Sequence, residues 1–298
     1  MEKLLQLIVT GTALGGVYAL LALGFVVVFR ATEVVNFAHG GILMVGTYFT
    51  ARFRTVNEYP FVVALLLGIA IAVAVALVVE RLFVRPVQSR SIVAAAIMTI
   101  GVDVVLQTDI TRRLGIDILA VGDPWQSATV DVAGITLPQT RVAALVASVL
   151  VLGAFFAWFK RSDWGIAMRA TAEDHHTAEL MGVRLGRVSA LVWIIAAVLA
   201  VVGGVFLSAF PAPGVSPTTS AVALRAFPAA ILGGLDSTGG ALVGGVLIGL
   251  AETLTQGYQE DLAFLGDGFS AVMPYVVMVA VLLVRPTGLF GTKEATRV

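Results

Sequence analysis

Between Leu4 and Phe29 the chain runs for 26 residues without a charged side chain. A helix needs roughly 20 apolar residues to cross about 30 Å of hydrocarbon, so this stretch alone supplies one crossing. Further uncharged stretches follow at 34–51, 59–79, 91–102, 142–159, 188–224, 226–235, 237–251 and 268–284. Repetition of this kind specifies a bundle of helices in a bilayer, an all-α polytopic membrane protein. Charged residues make up 13% of the chain, about half the usual share in a soluble domain, which excludes a water-soluble enzyme of ordinary type. Nineteen basic residues match nineteen acidic ones and cysteine is absent, so neither nucleic-acid binding nor a disulfide scaffold is indicated.

Length separates the stretches further. The one starting at Ser91 is long enough to cross only if Asp103 is accepted in the membrane and the helix continues to Thr108. The pieces 226–235 and 237–251 are each short and flank Gly233-Gly234-Leu235-Asp236-Ser237, which predicts a re-entrant hairpin of half-helices. The expectation is about seven full transmembrane helices plus this hairpin, or 8–9 hydrophobic segments in one domain spanning 1–298. Glu2 and Lys3 followed by so long an apolar run do not read as a cleaved signal peptide.

With the N-terminus outside, the inner loops are 30–35, 80–91, 160–187 and the tail from 285, and they hold 12 of the 19 basic residues. That bias favours a cytoplasmic C-terminus. The outer loop 109–141 carries Asp109, Asp117, Asp123 and Asp131 with Pro124 and Pro138, a turn-rich composition. Gly11-x-x-x-Gly15, Gly240-x-x-x-Gly244 and Gly245-x-x-x-Gly249 each put two glycines on one helix face. In lipid, where no hydrophobic drive brings helices together, such faces permit close backbone approach, and internal packing is their expected role.

The inner loop 160–187 is the most informative polar stretch. Thr171-x-x-Asp174 approximates a capping box, and Gly182 stands where a glycine ends a helix, predicting a helix of about ten residues between them. His175 and Glu179 share one of its faces, and Leu180 and Met181 give it an apolar edge. Such a helix is too polar to insert. It lies on the membrane surface as a solvated loop helix, or it docks into another protein.

Four segments carry a resemblance: Gly16-Val17-Tyr18 through Gly24; Val35-Asn36-Phe37-Ala38-His39-Gly40; Arg169 through Asp174 with Ala178-x-x-Met181-Gly182; and Phe227-Pro228 through Ser237 with Gly240 and Gly244-Gly245. In this order they resemble the membrane permease subunits of ABC importers for branched-chain and other hydrophobic amino acids. The resemblance covers nearly the whole chain. It implies that 160–187 is a coupling loop, with Arg169, Glu173, Asp174, His175, Glu179 and Gly182 meeting a cytoplasmic ATPase. It further implies two ATPase subunits binding ATP and Mg²⁺, a homologous second permease subunit, an extracytoplasmic solute-binding protein and residence in the cell inner membrane. Consistent with this, no Gly-x-x-x-x-Gly-Lys-[Ser/Thr] occurs in the chain, so any ATP must be held elsewhere.

Asp103 and Glu252 fall within spans, where a charge costs at least about 2.5–3.5 kcal/mol on insertion scales, so they should face protein or water. Asn36 and His39 stand at the inner entrance of the second segment, either as helix cap and backbone-bonded imidazole or as substrate contacts. Together these four are the candidate translocation path. Tyr18 and Tyr48 are either interfacial anchors or path residues.

Only three histidines exist, at 39, 175 and 176, and adjacent histidines diverge on a helix, so no metal site or other cofactor is expected on this chain. An intramembrane aspartyl protease would pair Asp103 with Asp267, but Phe264-Leu265-Gly266-Asp267 lacks the first glycine of Gly-x-Gly-Asp. A serine protease of the rhomboid type lacks its Gly-x-Ser-Gly. A secondary transporter using Asp103 as an ion site is the main alternative, though it has no use for a docking helix. Urea, short amides or aromatic acids are the alternative cargo.

Overall fold

The structure, a computed structural model, describes residues 2–291 other than 116, 123, 126, 127, 133, 134, 211, 212, 263, 265 and 267. Asp123, Asp267, Lys293 and Arg297 therefore lie outside the described residues. The helices are α1 (Glu2–Thr32), α2 (His39–Thr55), α3 (Phe61–Val78), α4 (Arg85–Gln88), α5 (Ile92–Leu114), α6 (Gln139–Arg161), α7 (Asp163–Glu173), α8 (His175–Leu180), α9 (Leu185–Leu207), α10 (Thr219–Leu224), α11 (Ala226–Gly233), α12 (Thr238–Gly257) and α13 (Met273–Val284). A π-helical turn, Val79–Val84, joins α3 to α4 without a break. Among the described residues six helical units are long and apolar enough to cross a membrane: α1, the α3–α4 unit, α5, α6, α9 and α12. The α10–α11 unit and α13 are apolar but shorter.

The centre of the bundle is α1, whose side chains from Ala13 to Val28 are almost all buried. It lies against α6, α9, α11 and α12. The glycine motifs make this packing possible: a Cβ at Gly15 would stand 2.7 Å from Val246 Cα, and one at Gly245 would stand 2.5 Å from Ala19 Cα. Gly11-x-x-x-Gly15 and Gly245-x-x-x-Gly249 therefore face each other across the α1–α12 contact, while Gly240 and Gly244 lie against the α11 backbone. Internal packing was their expected role, and these approaches supply it. The outer layer differs, because α3, α5 and α6 leave most of their apolar surface uncovered.

The loops sort into two faces. On one, Gln88 donates to the Thr32 carbonyl at 2.8 Å, His175 lies 3.1 Å from the Ala31 carbonyl, and Leu289 N–H donates to Leu232 at 2.8 Å. The stretches 30–35, 80–91, 160–187 and 285–291 thus gather on this α8 face, as the charge count grouped them. The opposite face carries the antiparallel hairpin β1 (Thr129–Val132) and β2 (Ile135–Pro138). There Arg54 donates to Gly122 at 3.1 Å and Arg141 to Thr10 at 2.8 Å.

Four boundaries differ from the sequence reading. The second segment becomes helical only at His39, because 33–38 forms a non-helical link. α5 continues past Thr108 to Leu114, so Asp109 is helical and pairs with Arg113 at 2.7 Å, and the outer loop is shorter than 109–141. α12 has 20 residues and is no half-helix; only its hairpin partner α11, with eight, is short. The inner loop holds two helices rather than one. Ser162 caps α7 through Gly165 N–H at 3.0 Å, whereas Thr171 lies buried inside α7, its hydroxyl bonded back to Ala167 at 2.9 Å.

Candidate functional site

The link between α1 and α2 holds the first polar assembly. The α2 N-cap position is Ala38, which has no side chain to offer the free amides of the first turn. α5 supplies what is missing: Thr99 Oγ1 accepts Phe37 N–H at 3.0 Å, and Asp103 Oδ1 accepts Gly41 N–H at 2.6 Å. A carboxylate at a helix N-terminus also meets the positive end of the helix dipole. Gln107 donates to the other oxygen of Asp103 and accepts from Ser220 of α10 at 2.9 Å. Asp103, expected to face protein or water, is buried, and it ties α2, α5 and α10 together.

Asn36 and His39 are each 1% exposed. Asn36 accepts Ala38 N–H at 3.1 Å but does not cap α2, and its amide nitrogen has no partner among the described residues. His39 N–H donates to the Asn36 carbonyl at 3.3 Å, but neither nitrogen of its ring has a partner among the described residues. Its ring packs against Phe25 at 4.5 Å between centroids. Gly24 makes room for it, since a Cβ at that position would stand 2.6 Å from His39 Cε1. Buried polar atoms without a protein partner are rare.

Glu252 belongs to a second assembly, apart from the link. It accepts from the Tyr18 hydroxyl at 2.7 Å and is ion-paired with Arg225 at the junction of α10 and α11. Arg225, one of the seven basic residues outside the inner loops, is the counter-ion of this buried acid. Two lone opposite charges in adjacent apolar stretches were the available signal. Tyr18 is neither anchor nor exposed, being fully buried. Tyr48 is also buried, and its hydroxyl accepts from Arg52 at 3.0 Å. Thr99, Gln107, Ser220 and the buried Glu80, which accepts from Ser189 at 2.8 Å, were not singled out beforehand.

The third region is the α7–α8 pair. Asp174 caps α8 by accepting Thr177 N–H at 2.8 Å, and that bond holds its carboxyl below the ordinary range. Gly182, at φ +91°, ends the unit as expected. Glu173, Glu179, Leu180 and Met181 are exposed, the last two at 74% and 81%, and Trp164 and Ile166 of α7 are exposed as well. Two of the coupling candidates turn inward. Arg169 donates to the Phe159 carbonyl and lies over its ring at 5.1 Å, and His175 reaches α1. Beneath α8 lies a cavity of about 1110 Å³, lined by the end of α1, the π turn, α4, α8 and the start of α9. No cluster of three metal-ligating side chains occurs among the described residues.

The family model for the branched-chain amino acid transport system, permease component, matches residues 7–284. The chain belongs to this permease family. It is 32% identical to the high-affinity branched-chain amino acid transport system permease protein LivH of Salmonella typhimurium, over 99% of this chain and 97% of that one. The corresponding permease protein BraD of Pseudomonas aeruginosa is 30% identical over 99% and 98%. The probable permease LivH of Methanocaldococcus jannaschii is 30% identical over 91% and 88%. Among solved structures, PsaBC from Streptococcus pneumoniae in complex with Fab aligns at TM-score 0.48 and 12% identity over 95% of this chain and 91% of that one. That likeness is too slight to add to the family assignment.

Proposed function

We propose that this permease is the membrane-embedded subunit of an ATP-driven importer for branched-chain amino acids in the cytoplasmic membrane. The α8 face is cytoplasmic, and the N-terminus and the β hairpin are outside. ATPase subunits on separate chains bind ATP and Mg²⁺ and dock on α8 and the adjoining apolar surface of α7. A second permease subunit and an extracytoplasmic solute-binding protein complete the machine. The observation that carries this reading is the exposed apolar pair Leu180 and Met181 on a capped helix, flanked by Glu173 and Glu179, in a chain of this family. Exposed apolar side chains on a polar surface helix are what a docking interface requires.

Transport in this reading is alternating access. ATP binding closes the ATPases and displaces α8, and the two states differ in their contacts, which is where the energy enters. Asn36 and His39 line the path beside Asp103, and their unpartnered nitrogens are free to meet substrate or water as the link opens. Glu252, already neutralised by Arg225, holds the bundle together.

The test is co-purification of the chain with its membrane and soluble partners, followed by ATPase measurement in liposomes with loaded binding protein. Stimulation by leucine, isoleucine or valine supports the reading. Stimulation by urea, amides or aromatic acids alone keeps the machine and overturns the cargo.

A further inference from the structure

α8 is a thin element. It has six residues and buries only Ala178, and the 1110 Å³ cavity beneath it leaves it room to move. Among the described residues the hydrogen-bonding tie from α8 to the central helix is His175. Its Nε2 lies 3.1 Å from the carbonyl oxygen of Ala31 in the last turn of α1, and its Nδ1 lies 3.6 Å from the Glu33 carboxylate. Glu33 opens the link 33–38 and has φ +57°, a left-handed conformation that a residue with a side chain holds only when its surroundings enforce it. Two residues further on, the Val35 carbonyl accepts from Thr99 at 3.4 Å, and beyond it the Phe37 and Gly41 amides bind Thr99 and Asp103.

We propose that His175 is a positioning residue: it latches α8 to the α1–α2 link, so that displacement of α8 re-aims Asn36, His39 and the Asp103 network. The proposal rests on the reading of α8 as the ATPase-docking helix and adds the route by which its motion enters the membrane. A rigid pull through hydrogen bonds is transmitted only if the element at the far end has two arrangements. At that end the Phe37 and Gly41 amides are held by side chains of α5, and the latch requires that these two bonds can be exchanged when α8 moves. The neighbouring His176 is exposed and has no such contact among the described residues, which makes it the internal control.

The chain has no cysteine, so Glu33→Cys with His175→Cys can be bridged by a short bis-methanethiosulfonate reagent and released with reductant in one preparation. The experiment uses the complete complex in liposomes and reads substrate imported per ATP hydrolysed. The bridged form should match wild type, the released form should fall by about tenfold, a typical coupling between sites, and His176→Ala should match wild type. His175→Gln, which keeps a donor within reach of the Ala31 carbonyl, should retain most of the coupling that His175→Ala loses. Equal coupling in the bridged and released forms overturns the latch, even where the wild-type complex transports normally. Failure of the wild-type complex to couple transport to hydrolysis overturns instead the reading on which the latch rests.

Discussion

The α1–α12 contact and the α8 helix use the same amino-acid economy for opposite ends. In the first, glycine removes side chains so that two long helices touch backbone to backbone over several turns, and the buried acid of α12, Glu252, is matched by Tyr18 of α1 and by Arg225. In the second, side chains are kept and exposed, one residue is buried, and a cavity lies beneath. The contrast separates a tightly packed frame from the thinly seated helix to which the proposed function assigns the displacement. Dispersion over many close contacts gives rigidity; a capped, thinly seated helix gives a handle.

The largest effect should come from attacking the frame. Arg225→Ala leaves Glu252 buried and uncompensated and should cost about 3–5 kcal/mol, read as lost membrane abundance and a lowered Tm in detergent. Replacing both partners with leucine should cost less, which separates an orphaned charge from lost attraction. Gly15→Leu forces α1 off α12 and should cost about 1–3 kcal/mol or more. Gly153→Ala, where an added Cβ meets nothing, should be nearly silent in the same unfolding assay.

Attacks on the handle should spare the fold and strike partnership. Leu180→Asp with Met181→Asp should weaken co-purification of the ATPase by about thirtyfold, the equivalent of roughly 2 kcal/mol, with insertion unchanged. Asp103→Asn sits between the two regions. It keeps an acceptor for the Gly41 amide but presents an amide to Gln107, so uptake should fall by about tenfold at near-normal abundance. The smallest effect belongs to Asp174. Its carboxyl is held low by the Thr177 amide, so the cap is fully present above the ordinary carboxylate range and is lost as pH falls through the lowered value. Asp174→Asn should remove that acid sensitivity, followed as protease accessibility of 174–182 against pH, with little change at neutral pH.

Much of the frame was legible because its signals are local. An uncharged run of 26 residues must cross something, and glycines four apart must share a face. Single-residue competition was harder to read. Thr171-x-x-Asp174 approximated the capping pattern, yet Thr171 bonded to its own helix α7, which Ser162 caps, and Asp174 itself became the cap of α8. The half-helix expectation for α12 failed because Glu252 was taken as ending a segment, when pairing with Arg225 lets the helix run through it. The site was least legible. That α2 would be capped by α5, across 62 residues, follows from tertiary packing alone, as do the unpartnered nitrogens of Asn36 and His39.

The central claim is that this chain moves solute only when a separate motor drives it. The direct measurement is leucine accumulation in proteoliposomes made with the purified chain alone and with its full set of partners, each with and without ATP. Accumulation against a gradient only in the complete, ATP-supplied vesicles is the predicted result. Accumulation by the chain alone, driven by a proton or sodium gradient, would contradict it.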